Sequence, residues 1–226
     1  SQLAHIAVSS NSSGEGLTQL ERGTLQIANS ELSSPYVDQL DHPVAAIIFA
    51  LIINKASLNI TNLSSEQIQA IYTGKDTSWN QVDPNAPNIP IKLFGRQGSS
   101  GTQASFVKYV LKLGTNQMPG NVQITPEGSS SEVVNAVSTT PGAIGFADYA
   151  DAVNASGSVT ILEINQAAPT PALIEKNAYP FWAIEHMYTS KNADPLSLSF
   201  ITYVTQNLST NGSFIHLDST LLTLHT

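Results

Sequence analysis

The sequence predicts an α/β fold built on a largely parallel sheet. Three observations point that way. Short apolar runs rich in β-branched residues alternate along the chain with segments of helical periodicity. Two Ser-x-x-Glu/Gln capping boxes open helices between those runs. Glycines stand where several of the helices must end.

In chain order, Ile6 and Val8 read as a first strand that runs into a small-residue turn over positions 9–16. A short helix follows through Leu17 and Leu20 and stops at Gly23, because the residue after a helix favours a left-handed conformation that glycine reaches without strain. Leu25 and Ile27 alternate as a second strand. Positions 44–53 form the longest apolar run, ten residues, whose isoleucines and ending at Asn54-Lys55 make it a buried strand. It is half of the ~20 residues that cross a bilayer. Ser64 and Gln67 are a capping box, with Ile68, Ile71 and Tyr72 on one helix face and Gly74 as the stop.

A loop holding Trp79, Pro84, Pro87 and Pro90 leads to a strand at 91–94. After a glycine-serine turn, Phe106, Val107, Val110 and Leu111 recur at helical spacing as far as Gly114. Ser129 and Glu132 form the second box, ahead of Val133, Val134 and Val137. Positions 142–146 are a short buried strand and positions 169–171 a loop. A strand near 184–188 and a helix near 195–205 complete the pattern.

At 226 residues the chain is one large domain or two small lobes, and either buries a core. Charged residues are only 12%, and Ser and Thr supply 46 of the 226 residues in their place. The net charge of −8 excludes a nucleic-acid footprint, which needs a basic face, and disfavours adhesion to anionic membranes. Cysteine is absent, which removes disulfides, thiolate metal sites and cysteine nucleophiles together. Hydroxyl-rich, charge-poor and cysteine-free, the composition points to a bacterial exported protein. Positions 1–4 lack the basic start and apolar core of a signal peptide, so the chain is cytoplasmic or its leader has been removed.

The strongest local motif is Arg96-Gln97-Gly98-Ser99-Ser100-Gly101-Thr102, between a strand and a helix. Small residues let backbone N–H groups approach a ligand, and the helix start adds unpaired N–H groups and a positive dipole end. Ser100 and Thr102 add hydroxyls, and Arg96, one of two arginines in the chain, adds a planar fork suited to an oxyanion. The pattern also describes an ordinary helix N-cap beside a surface arginine. Asn11-Ser12-Ser13-Gly14-Glu15-Gly16 is a second turn of this kind, and the pair can face each other across a cleft. His5, His42, His186, His216 and His225 are never at metal-ligand spacing, and neither a Gly-x-Ser-x-Gly elbow nor a Walker A lysine is present. The sequons at Asn59 and Asn207-Leu208-Ser209 are expected by chance in so hydroxyl-rich a chain.

Around the Arg96 turn the chain resembles the phosphate-binding proteins of bacterial ABC phosphate importers, the PstS family of periplasmic binding proteins. Arg96, Ser100, Gly101 and Thr102 match that family's ligand-binding turn. The stretch from Asn62-Leu63-Ser64 through Tyr72-Thr73-Gly74-Lys75 to Trp79-Asn80 is similar to another family segment, and Thr140-Pro141-Gly142-Ala143-Ile144-Gly145-Phe146 to a third. Tyr179-Pro180 resembles the return to the first lobe. The 11–16 turn places Ser13 on a phosphate-contacting serine, and Glu31 stands where the family has an aspartate that accepts the proton of hydrogen phosphate.

The resemblance implies a two-lobed, type II α/β fold, with positions 1–47 plus 183–226 as an incomplete first lobe and 48–182 as the second. It implies an extracytoplasmic solute-binding protein or domain that is not an enzyme. Phosphate or a similar oxyanion is held between the lobes by Ser13, Glu31, Arg96, Ser100, Gly101 and Thr102, with no cofactor or metal. Membrane subunits of an ABC importer are the implied partners. The family's first strand, Thr-Phe turn and helix lie ahead of the segment that aligns with Ile6 and Val8. Their lack predicts weak phosphate binding and a sheet edge that pairs two copies into a homodimer. A degenerate sensor or surface interaction domain is the alternative reading, and an oxyanion-handling phosphatase a third.

Overall fold

The computed structural model describes residues 5–9, 12–114, 117–208 and 213–224. Positions 1–4, Asn11, Ser209 and His225 lie outside the described residues. In chain order the elements are α1 (Ser13–Glu21), β1 (Ala28–Ser30), β2 (Gln39–Asn54), β3 (Asn62–Leu63), α2 (Ser65–Tyr72), α3 (Trp79–Val82) and β4 (Lys92–Arg96). Then come α4 (Gly101–Ser105), a π-helical turn over Phe106–Leu111, β5 (Ile124–Glu127), α5 (Ser130–Thr139), β6 (Ala143–Asp148), α6 (Tyr149–Asn154) and β7 (Val159–Ile161). The chain continues through β8 (Glu163–Ile164), α7 (Pro171–Glu175), β9 (Trp182–Ser190), α8 (Pro195–Gln206), β10 (Phe214–Ile215) and α9 (Ser219–Leu224).

Local signals are honoured. Both capping boxes form, Ser64 with Gln67 and Ser129 with Glu132. Gly23 and Gly74 end their helices at φ of +72° and +75°. The strand read at 44–53 is the buried part of β2, which begins five residues earlier because Gln39 to Pro43 pair with β9 in a more exposed arm. Pro43 sits where the register shifts, since it has no N–H to give to a ladder.

Five expectations are corrected. Ile6 and Val8 are not in a strand: residues 5–9 take no regular structure, and the two side chains are 55% and 91% exposed. The second strand is Ala28–Ser30 rather than Leu25 to Ile27, because pairing with β9 begins only where Ala28 meets Tyr188. The helix aimed at Gly114 widens into a π-helical turn and is capped at Lys112, itself left-handed at φ 55°. Pro171 is the first residue of α7, where its missing N–H costs nothing, rather than loop.

The sheet, finally, is mixed. Its order is β1-β9-β2-β6-β4-β5, with β7 and β10 also paired to β2. β4 is parallel to β5 and β6, and every ladder involving β2 or β1 is antiparallel. The strand-helix alternation between 92 and 148 generates parallel neighbours through its crossovers. β2 and β9 meet across more than a hundred residues, and nothing in the alternation sets their direction.

β2 is shared along its length. β9 pairs with it as far as Ile48, and β6 takes over from Phe49. Under that junction lie Phe106 stacked on Phe146 at 4.4 Å, with Tyr72 edge-on at 4.7 Å and Phe181 at 5.3 Å from Phe106. Burying each such ring contributes about 1.5–3 kcal/mol. Trp79 Nε1 donates to Gly142 O at 2.9 Å, and Gly142, at φ +76°, has Pro90 O only 2.4 Å from where a Cβ would stand. This packing locks β4 beside β6 and carries Arg96 and Asp148 out at their carboxyl ends, where open α/β sheets form crevices.

Candidate functional site

At those strand ends the N-termini of three helices converge on a cavity of about 290 Å³. α1 brings Ser12 and Ser13, α4 brings Ser100 and Thr102, and α5 brings Ser129, Ser130 and Ser131. Each helix start is shaped by its own cap. Ser12, Ser100 and Ser129 accept from the N–H groups of Glu15, Gln103 and Glu132. The Ser129 cap is also a capping box, in which Glu132 Oε2 accepts from Gly128 N at 2.7 Å and Ser129 N at 3.1 Å and fixes the turn before α5.

The first two turns touch. Gly14 N donates to Ser99 O at 3.1 Å, and the hydroxyls of Ser12 and Ser99 stand 2.7 Å apart. Gly101 N donates to Ser13 Oγ at 3.2 Å, and Ser13 Oγ donates to Glu31 Oε2 at 2.5 Å. A Cβ on Gly101 would stand 2.1 Å from Glu31 Oε2, 2.8 Å from Ser13 Oγ and 2.9 Å from Glu31 Cβ, so any side chain here would push Glu31 and Ser13 out of place.

Of the residues singled out from the sequence, Ser13, Glu31, Arg96, Ser100 and Thr102 line this one cavity, and Gly101 abuts it through Ser13 and Glu31. Arg96 is placed differently from the open fork expected of it. Nη1 donates to Ser130 Oγ at 2.9 Å and Nη2 to Gly128 O at 3.0 Å, so two of its N–H groups brace the start of α5. Its Nε is buried without a partner.

Sequence reasoning missed Ser129, Ser130, Ser131, Asp148 and Asp151, which also line the cavity. A signal for the serines was present: Gly128-Ser129-Ser130-Ser131 before a capped helix repeats the chemistry of Gly98-Ser99-Ser100-Gly101. The carboxylates carried none.

One guanidinium therefore faces three carboxyl groups, Glu31, Asp148 and Asp151. Asp148 N donates to Ser130 Oγ at 3.1 Å, while its Oδ1 is buried with no partner. Burial raises its pKa to about 6, and the charge of Glu31 adds to this while Arg96 opposes it. On β9 Glu185 is pushed well above the ordinary carboxylate range, chiefly by burial and then by Glu31 and Asp148. Among the described residues no His lines the cavity, and no cluster of His, Cys, Asp or Glu suits a metal ion. A larger open groove of about 750 Å³ lies elsewhere, around Lys55, whose Nζ donates to Ser156 O at 2.7 Å. It lacks the converging donors of the smaller cavity. Among the described residues no helix is long and apolar enough to cross a membrane.

Residues 2–207 match the family model of the PBP superfamily domain. The chain is 33% identical over 207 residues to the phosphate-binding protein PstS of Bacillus subtilis, covering 89% of this chain and 66% of that protein. It is 26% identical over 168 residues to alkaline phosphatase L of Pseudomonas aeruginosa, covering 68% and 45% of the two chains. The chain thus spans less than two thirds of the length of both relatives. Among solved structures, an ABC-type phosphate transport receptor from Vibrio cholerae aligns with a TM-score of 0.66 at 25% identity, over 89% of this chain and 82% of that one. A protein assigned as a phosphate ABC transporter substrate-binding protein from Clostridium perfringens, crystallised with bound phosphate, shares the fold with a TM-score of 0.78 at 21% identity, over 92% and 85%.

Proposed function

The chain belongs to the PBP superfamily domain family, and from that membership we propose that it is an extracytoplasmic solute-binding protein or domain that holds phosphate, or a similar tetrahedral oxyanion, between two lobes. One observation carries the reading: three helix N-termini and Arg96 meet at a single small polar cavity. PstS relatives and the phosphate transport receptor of like fold point to the same anion. In this reading the anion replaces Glu31 as the acceptor from Ser13 Oγ and Ser13 as the acceptor from Gly101 N, Ser100 and Thr102 donate beside them, Arg96 neutralises the anion, and Glu31 accepts its proton. The lobes are positions 1–47 with 183–226, and 48–182. The exchange of β2's partner from β9 to β6 between Ile48 and Phe49 supports that division.

The chain would deliver its anion to the membrane subunits of an ABC importer, and the three-residue edge strand β1 is the place where a second copy would pair. A hydrolytic reading has the name of alkaline phosphatase L in its favour. Binding without hydrolysis fits better, since the lining hydroxyl bonded to Arg96, Ser130 Oγ, is held in the scaffold by both Arg96 Nη1 and Asp148 N.

Hydrogen bonds to a charged group contribute about 1.5–3 kcal/mol each, so Arg96→Ala should weaken phosphate binding roughly tenfold to a hundredfold. Calorimetric titration of both proteins measures this. Unchanged affinity in a variant with an intact fold would overturn the assignment of the cavity.

A further inference from the structure

Resting on the reading of this cavity as an anion site, we propose that Asp148 makes anion capture proton-linked. Its unpartnered Oδ1 and the unpartnered Nε of Arg96 are buried at the same cavity, so the carboxyl group takes a proton from solvent as the anion binds and, keeping that proton, donates a hydrogen bond to a ligand oxygen.

Three observations support this. The first is position. Asp148 closes β6, and its backbone N–H is tied to Ser130 Oγ, the same atom that accepts from Arg96 Nη1, so its carboxyl group is anchored beside the guanidinium. The second is charge. Among the described residues Asp148 is faced by Glu31 from the segment after β1 and by Asp151 from α6, and by Glu185 from β9, whose burial favours its neutral form, against the guanidinium of Arg96 from β4. A cavity with that balance repels an anion unless protons come with it. The third is the difference between the two cavity acids. Glu31 is held as an acceptor by Ser13 Oγ, whereas Asp148 Oδ1 is buried with no hydrogen-bond partner. An ionised Oδ1 would set lone pair against lone pair with an oxyanion, and a protonated one supplies the missing donor.

Burial, with the charge of Glu31, pushes the Asp148 carboxyl up to about 6, and a bound anion raises that value further. Through this group affinity is level below about pH 6 and falls above it, by up to roughly tenfold per pH unit, until the bound-state titration is passed. Phosphate itself titrates in that range, so the comparison that counts is between wild type and Asp148→Asn, whose amide is a donor at every pH.

The test is titration of both proteins with inorganic phosphate at about pH 5 and about pH 8, together with infrared difference spectra of the wild type with and without phosphate. The expected result is affinities that match at the lower pH and a variant about tenfold tighter at the higher. At about pH 6.5, between its free and bound titrations, the wild type should also gain a protonated-carboxyl C=O band on adding phosphate. Affinity ratios that do not change with pH overturn the inference, as does a variant weaker at both values, which would make Asp148 an acceptor. If the variant fails to fold, absence of the carboxyl band from the wild-type difference spectrum overturns it. Wild-type protein that binds phosphate with parallel profiles sinks this inference alone. A wild type that binds no phosphate at either pH sinks the anion reading and this inference together.

Discussion

Glu31 accepts from Ser13 Oγ on the wall of the cavity, and under the proposed anion-binding function that placement predicts an anion preference. An ionised carboxylate accepts from a protonated oxyanion and repels one with no proton to give. Phosphate should therefore bind more tightly than sulfate, with Glu31→Gln narrowing the gap. Titration of both proteins with both anions measures this, and equal affinities in the wild type would mean that Glu31 points away from the ligand. Asp148 makes a second prediction, on stability. Its pKa is raised on folding, so the native state binds more protons than the unfolded chain between the ordinary carboxylate value and about 6. The stability it contributes is full below that interval and is lost as pH rises through it. In phosphate-free thermal scans Asp148→Asn should match the wild type at about pH 4 and melt higher at about pH 7. Arg96 was legible in the sequence because arginine is rare here and stands beside a glycine-serine turn. Asp148 was not, since an acid at a strand end looks like any surface acid until packing brings Arg96 and Glu31 to it.

The start of α5 is where helix chemistry and ligand chemistry share atoms. Its capping box fixes Gly128 and Ser129, and Gly128 O with Ser130 Oγ then holds Arg96. Ser129→Ala removes the N-cap acceptor at a cost of about 1 kcal/mol, or roughly 2–4 °C in a protein of this size. It should also weaken phosphate binding several-fold, because the brace on Arg96 loosens with the turn. Scanning calorimetry and phosphate titration on one preparation separate the two effects, and an unchanged affinity would show that Arg96 needs no help from α5. Both capping boxes were readable in advance because a box is complete within four residues. The π-helical turn after α4 was not. Phe106, Val107, Val110 and Leu111 share one face in an α-helix as well, so their apolar spacing does not distinguish the two geometries.

The two halves of the molecule hang on β2, whose residues from Val44 to Asn54 are all buried and whose partner changes midway. A strand that supplies the central ladder to both halves ties their unfolding together. Its amides should exchange last and at a single rate limit, with no earlier exchange of one half. Hydrogen exchange by mass spectrometry reads this directly, and separate protection classes for the β9-paired and β6-paired parts of β2 would refute it. By itself the sequence determined the α/β alternation, the two capping boxes, the stops at Gly23 and Gly74 and the glycine-serine turn beside Arg96. Each is a short-range matter of dihedral preference, hydrogen-bond reach or apolar spacing within a few residues. Tertiary structure alone decided that the sheet is mixed, that Ile6 and Val8 stay out of it, and that Ser130 and Asp148 join the cavity. Strand direction and the burial of a charge depend on partners distant in the chain, and those meet only when the core around Phe106 and Phe146 has closed.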